Sequence, residues 1–427
     1  MLLIAALPAL ALAQSTGGME SDQLPSTFTL STNPHTLNSN EAAAGGGVLG
    51  RRSNGGLLGI DSVVNWSSYF YYPGFDGNGN PQFTWNYTMV GHSPLAEGDD
   101  NGDGGRTTRI RAPIVPVIVD LRNYDGSPRF VGGQPLISDP TKYVAPVLNS
   151  PVFSNALYDS SEDPTQFTDA VQRAEFFHDA SDDWHTILKQ RVATTRTMVL
   201  IRGTYQFALN KDGTCCRFIL VDYATFVNAL FPPTATDTST PMGAAEHAGD
   251  VTTKDISTFL FPNTYLYLGS LCCVLGFHSY DLEPGDASNG FRERRYVMNY
   301  SSWISPGLFK GGFADITALS HEMAETFNDP FVNNATPWWL APNGNCQNNL
   351  ETGDVIEGLS NAIFPIALNG SMWSPQNEAL LEWFANQRPS SAIHNAYSYP
   401  NISVLPVGAT SQFPGCTPAL PPPPPLP

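Results

Sequence analysis

The residues best placed for chemistry lie in two short stretches. One is SHEMAETFNDP, residues 320–330, which carries His321, Glu322, Glu325 and Asp329. The other is CQNNLETGD, residues 346–354, which carries Glu351 and Asp354. His321 and Glu325 are four residues apart, about one helical turn, so an imidazole nitrogen and a carboxylate oxygen can grip one ion from the same face. Glu322 points beside them, where it can take a proton from attacking water. This is the logic of H-E-x-x-H in zinc peptidases, with glutamate in place of the second histidine. The exchange hardens the donor set, so zinc is expected first, with Mn or Ca open as other divalent ions. A third ligand must come from elsewhere. Glu351 or Asp354 is the expected source, with Asp329 behind the ligands at the helix end.

The competing reading of the same pattern is an amphipathic surface helix with a solvated acidic face. Other candidates carry weaker patterns. His278, in GFHSYD, follows a strand and is placed either to stabilise an oxyanion or to serve as a satisfied structural histidine. His178 and His185, in FHDASDDWH, are seven apart and would form a second metal site if a helix carried both. Tyr296 and Tyr300 are candidates to line a cleft leading to the helix. Asp76 to Asn80 and Asp99 to Gly104 resemble calcium loops, but Tyr87 and Ile110 stand where the closing glutamate belongs, which favours solvated turns. No G-x-S-x-G elbow, phosphate-binding loop or dinucleotide fingerprint is present.

These side chains need elements to position them. At about 100° per residue, Phe313, Ile316, Leu319, Met323 and Phe327 fall in one apolar sector, opposite His321, Glu322, Glu325 and Asp329, so residues 311–330 predict a helix. Pro330 closes it, because the residue before proline avoids helical geometry. Residues 165–177 predict a second helix capped by Thr165, and residues 223–230 a short third one. The run IVPVIVDL, residues 114–121, predicts a strand buried on both faces, with Pro116 hinting at a bulge or edge near its start. Further strands are expected at 198–201, 217–221 and 265–274, and short aromatic-rich strands within 61–105. Strands and helices alternate, so the fold class is mixed α/β.

The bulk composition narrows the setting. Residues 1–13 form an apolar, uncharged run ending in Ala-Leu-Ala, a signal-peptide pattern too short to span a bilayer. Six Asn-x-Ser/Thr sites follow, at Asn65, Asn86, Asn299, Asn334, Asn369 and Asn401, which in an exported chain are expected on the surface with glycans. The net charge of −18 repels phosphate backbones and anionic lipid, so neither nucleic acid nor membrane is an expected partner. Residues 14–60 are a low-complexity segment or pro-segment, with a dibasic Arg51-Arg52 pair inside, and residues 417–427 a proline-rich tail. The six cysteines suggest three disulfides, with the doublets Cys215-Cys216 and Cys272-Cys273 bridging one another and Cys346 joining Cys416.

In order, TQFTDAVQRAEFF, LGFHSYD, SHEMAETFNDP and NCQNNLETGD resemble a family of secreted fungal and bacterial proteins that carry S-H-E-x-x-E-x-x-x-D-P and then E-x-G-D. The family is zincin-like and distantly reminiscent of plant phosphate-induced proteins. The resemblance covers roughly residues 107–400. It marks His321, Glu322, Glu325, Asp329, Glu351 and Asp354, and implies a metallopeptidase-like fold; the domain itself is expected over 61–416, stapled by the disulfides named above. Val355 departs from the cysteine that often follows E-x-G-D. The expected function is therefore a secreted metallohydrolase acting on peptide or protein, with His321, Glu325 and Glu351 or Asp354 on the metal, Glu322 activating water and His278 stabilising the oxyanion. The rival is a non-catalytic wall-associated or signalling protein on the same fold. A carbohydrate-binding role for the aromatic segment 65–90 is the third possibility.

Overall fold

The computed structural model describes residues 21–24, 30, 59–75, 81–95, 107–209, 216–269, 271–385 and 388–409. The expected signal peptide, the Arg51-Arg52 pair, both calcium-like loops and the proline-rich tail lie outside them.

A stub, β1 (Ile60–Asp61), leads into a hairpin of β2 (Asn65–Phe75) and β3 (Pro81–Val90). The long strand β4 (Thr107–Arg122) follows, then helix α1 (Phe167–Glu175), β5 (His185–Val192) and β6 (Arg196–Ile201). The middle of the chain supplies β7 (Tyr205–Leu209), β8 (Arg217–Asp222), α2 (Tyr223–Leu230) and α3 (Pro241–His247). Next come β9 (Ile256–Pro262), β10 (Thr264–Leu268), β11 (Leu271–Val274), β12 (Gly276–Glu283) and β13 (Glu293–Trp303). Helix α4 (Thr317–Asn328) precedes a further hairpin, β14 (Ala335–Leu340) and β15 (Cys346–Asn349).

The main sheet is mixed. Strand β4 runs parallel to β9 on one side and to β5 and then β6 on the other. Beyond β9 lies parallel β13, and β12 closes that edge antiparallel to it. Alternation along β4 separates two cores, because successive side chains leave a strand on opposite faces. Val115, Val117, Val119 and Leu121 pack with Phe226 and Leu230 of α2 and Met242 and Ala245 of α3. Ile110, Ala112 and Ile114 pack on the other face with Leu319, Met323 and Phe327 of α4. Pro116 sits mid-strand rather than at an edge. It falls where β5 ends opposite Ile114 and β6 begins opposite Val117, a position where few ladder bonds are at stake for a residue without an N–H.

Helix α4 starts later than its periodicity suggested. Asp315 holds a left-handed φ of 43° and accepts the amides of Ile316 and Ser374, which keeps the chain out of the helix until Thr317. All twelve of its residues are buried, so the surface-helix reading fails. One face meets the sheet; Ala324 packs on Phe167 and Ala174 of α1, and Asn328 Nδ2 donates to Glu175 Oε1 at 2.7 Å. The aromatic hairpin docks here too: the Asn334 side chain accepts from the Thr88 amide and donates to its carbonyl.

Three expectations are corrected. Cys272 and Cys273 bond to each other, so the doublets do not bridge one another. Strand β10 lies between Cys216, which precedes β8, and Cys272 on β11. Two strand spacings are about 10 Å, beyond the roughly 7 Å that a disulfide spans. His178 and His185 do not share a helix: α1 ends at Glu175, and His185 opens β5 with its Nδ1 2.7 Å from Asp169 Oδ2. Three glycosylation motifs are not on the surface, since Asn65, Asn299 and Asn334 are 4%, 0% and 1% exposed.

Two outcomes follow. In protein expressed through a eukaryotic secretory host, glycopeptide mapping should find Asn65, Asn299 and Asn334 unmodified, because a chain with a sugar on the Asn334 amide cannot make its bonds to Thr88 and Asn328. Hydrogen bonding to Asp169 raises the pKa of His185 above its ordinary value. That stabilisation is whole below the unfolded value of about 6.5 and is lost as pH rises through the folded value. Melting curves across that range should show a fall with rising pH that His185→Gln flattens.

Candidate metal centre

Three separate stretches of chain converge beside α4. The helix presents His321, Glu322 and Glu325. Strand β12 presents His278, whose neighbour Phe277 points into the opposite core. The loop after β15 presents Glu351 and Asp354. None of these six side chains is more than 2% exposed.

Glu325 stands at the middle. Its Oε1 accepts from the Gly353 amide at 3.0 Å, which ties the helix to the loop. Its Oε2 lies 3.1 Å from His321 Nε2 and 3.5 Å from His278 Nδ1. His321 Nε2 is 3.5 Å from Asp354 Oδ1, and His278 Nδ1 is 3.6 Å from Glu322 Oε2. Donor atoms on one tetrahedral ion, bonded at about 2.1 Å, sit about 3.4 Å from one another. The observed spacings scatter around that value and mostly exceed a direct hydrogen bond. Both ring nitrogens of His278, both oxygens of Glu322 and Oε2 of Glu325 make no hydrogen bond among the described residues, although they are buried. The only ion-pair partners of Glu322 and Glu325 among the described residues are histidines.

The donor chemistry therefore fits a divalent cation. Glu322 and Glu325, whose ion-pair partners among the described residues are imidazoles alone, cannot both stay charged at no exposure unless something positive joins them. Without an ion, protons take that role. Burial pushes Glu322 up to about 7, and burial together with Glu325 carries Glu351 well above the carboxylate range. Burial opposes charge on His278 and His321, yet the carboxylates around them raise both well above the usual imidazole value. Glu325 goes the other way, because the two imidazoles outweigh its burial and hold it well below normal.

The surrounding residues aim the donors. Glu351 Oε2 lies 3.9 Å from the far nitrogen of His278, and its Oε1 accepts from Asn349 at 2.7 Å, so it backs the imidazole instead of joining the Glu325 group. Gln347 Nε2 donates to Asp354 Oδ2 at 2.6 Å and leaves Oδ1 toward His321. Asp329 was expected near the ion, but its two oxygens accept from the Asn333 and Asn334 amides and close the turn after α4. Burial pushes it up to about 6. His278 lies within strand β12 rather than after one, level with Asn299 of β13, which puts it among the donors. Tyr300 lines no cleft; it is a core residue whose hydroxyl donates to the Thr264 carbonyl. Tyr296 donates to Glu283 Oε2 at 3.1 Å, away from this group.

Two glycines make room for the constellation, and no spacing rule singled them out. A Cβ on Gly353 would stand 2.4 Å from His321 Nδ1, and one on Gly276 would stand 2.7 Å from the Glu322 side chain. Gly353→Ala should therefore displace the His321 ring and lower metal affinity by at least tenfold while leaving every donor in place. Calorimetric titration of the chelator-stripped protein would measure this. Compared with known proteins, the chain matches no protein-family model, no curated protein and no solved structure.

Proposed function

We propose that the protein is a secreted, divalent-metal-dependent hydrolase of zincin-like build that cleaves peptide bonds. The observation that carries this reading is the buried group in which His321, Glu325 and Asp354 lie within 4.8 Å of one another while Glu322 keeps both oxygens without a hydrogen bond beside it. His321, Glu325 and Asp354 would hold the ion, and zinc or manganese suits one nitrogen with two carboxylates. When bound, such an ion supplies Lewis acidity toward water and a substrate carbonyl. Glu322 takes the proton of the attacking water and returns it to the amine nitrogen as the C–N bond breaks. His278, held from behind by Glu351, places an imidazole next to Glu322 and Glu325, where it donates to the developing oxyanion. The apolar run before Gln14 and the exposed Asn-x-Ser/Thr motifs at Asn86 and Asn369 support secretion.

One observation favours the rival. Every donor is nearly sealed from solvent, as in a cation centre that stabilises a fold without turnover. The two readings separate cleanly. With a fluorogenic peptide library as probe, Glu322→Gln should retain metal at the His321 group but lower turnover by about 10²- to 10⁴-fold. Chelation should abolish turnover and lower the melting temperature. Metal-loaded native protein without peptidase activity, stabilised by metal all the same, would assign the centre to structure.

A further inference from the structure

The donors form not one group but two. His321, Glu325 and Asp354 make the first, and His278, Glu322 and Glu325 make the second; Glu325 belongs to both. The same oxygen, Oε2, faces an imidazole in each, His321 at 3.1 Å and His278 at 3.5 Å. We propose that the centre holds a pair of divalent cations bridged by Glu325 Oε2, the second bound by His278 Nδ1, Glu322 and Glu325. This rests on the metal centre argued above and revises one role in it: His278 Nδ1 would ligate the second ion instead of donating to the oxyanion.

Three observations carry the second site independently of the first. Its donors are buried, His278 at 1% and Glu322 and Glu325 at 0% exposure. The facing atoms, His278 Nδ1, both Glu322 oxygens and Glu325 Oε2, find no hydrogen-bond partner among the described residues. An imidazole and carboxylates left so at 3.5 and 3.6 Å are spaced for a shared cation. A shared carboxylate oxygen sets two ions about 3.5–4 Å apart, the spacing of two-metal hydrolytic centres. Glu322 has two oxygens, so one can hold the second ion while the other still takes a proton. One histidine and two carboxylates per ion suit zinc or manganese better than copper, which prefers more nitrogen or sulfur.

Metal content per chain tests this without reference to activity. The full secreted protein, loaded with Mn²⁺ and desalted, should carry two equivalents by elemental analysis. His278→Gln and Glu322→Gln should each carry one, His321→Gln one, and Glu325→Gln none. The Mn²⁺-loaded native protein should also give an exchange-coupled electron paramagnetic resonance spectrum, a readout that needs no variant to fold. One equivalent with an isolated-ion spectrum, unchanged by His278→Gln and Glu322→Gln but abolished by His321→Gln, would overturn the second ion and leave the single-ion reading standing. A native protein that takes up no Mn²⁺ or Zn²⁺ would overturn both.

Discussion

Two buried carboxylates, answered among the described residues by imidazoles alone, govern this molecule's centre. Glu322, Glu325, Glu351 and Asp354 sit around His278 and His321 at almost no exposure, and the ion pairs made by Glu322 and Glu325 among the described residues are with those histidines. Burying such a group costs several kcal/mol per uncompensated ion. A fold tolerates that expense where a cation or a proton relieves it. The room left by Gly353 and Gly276 and the bond from the Gly353 amide to Glu325 hold the donors close enough for one cation to serve several of them.

The architecture achieves this by bringing together parts of the chain that are far apart in sequence. The main sheet supplies a flat apolar floor for Leu319, Met323 and Phe327, which sets the roll of α4 and turns His321 and Glu325 away from that floor. The antiparallel edge strand β12 then offers His278 to the same space, because β12 keeps register with β13 and alternation sends Phe277 the other way. The loop closes the remaining side. Its Gly353 amide grips Glu325, and the absent Cβ leaves space for His321. A histidine on a strand, a helix turn and a loop thus meet without any one of them carrying the whole site.

Much of this was legible one element at a time. The strand around residues 114–121 and the helix over 223–230 stood out by composition and period, and both formed, the strand extending to Thr107–Arg122. The apolar stripe of α4 was correct from Ile316 to Phe327, because a 3.6-residue period survives whatever the helix packs against. What failed were statements about surroundings. The competing reading of a solvated acidic face fails, because β12 and the loop enclose it. Asn299 and Asn334 looked like glycan acceptors, yet their side chains sit in the interior. The doublet cysteines looked like partners, yet β10 separates them.

By itself, the sequence determined the mixed α/β class, the helix that pairs an imidazole with a carboxylate, and the acidic box that answers it. Those are local properties, set by period and spacing along a few turns of chain. Only the tertiary structure decided that His278 stands among the donors, that Glu351 backs an imidazole while Asp354 joins His321, and that Asp329 is occupied by backbone amides. Each of these depends on register between distant segments, and a distance of 3–4 Å between residues dozens of positions apart is set by packing that no short stretch encodes.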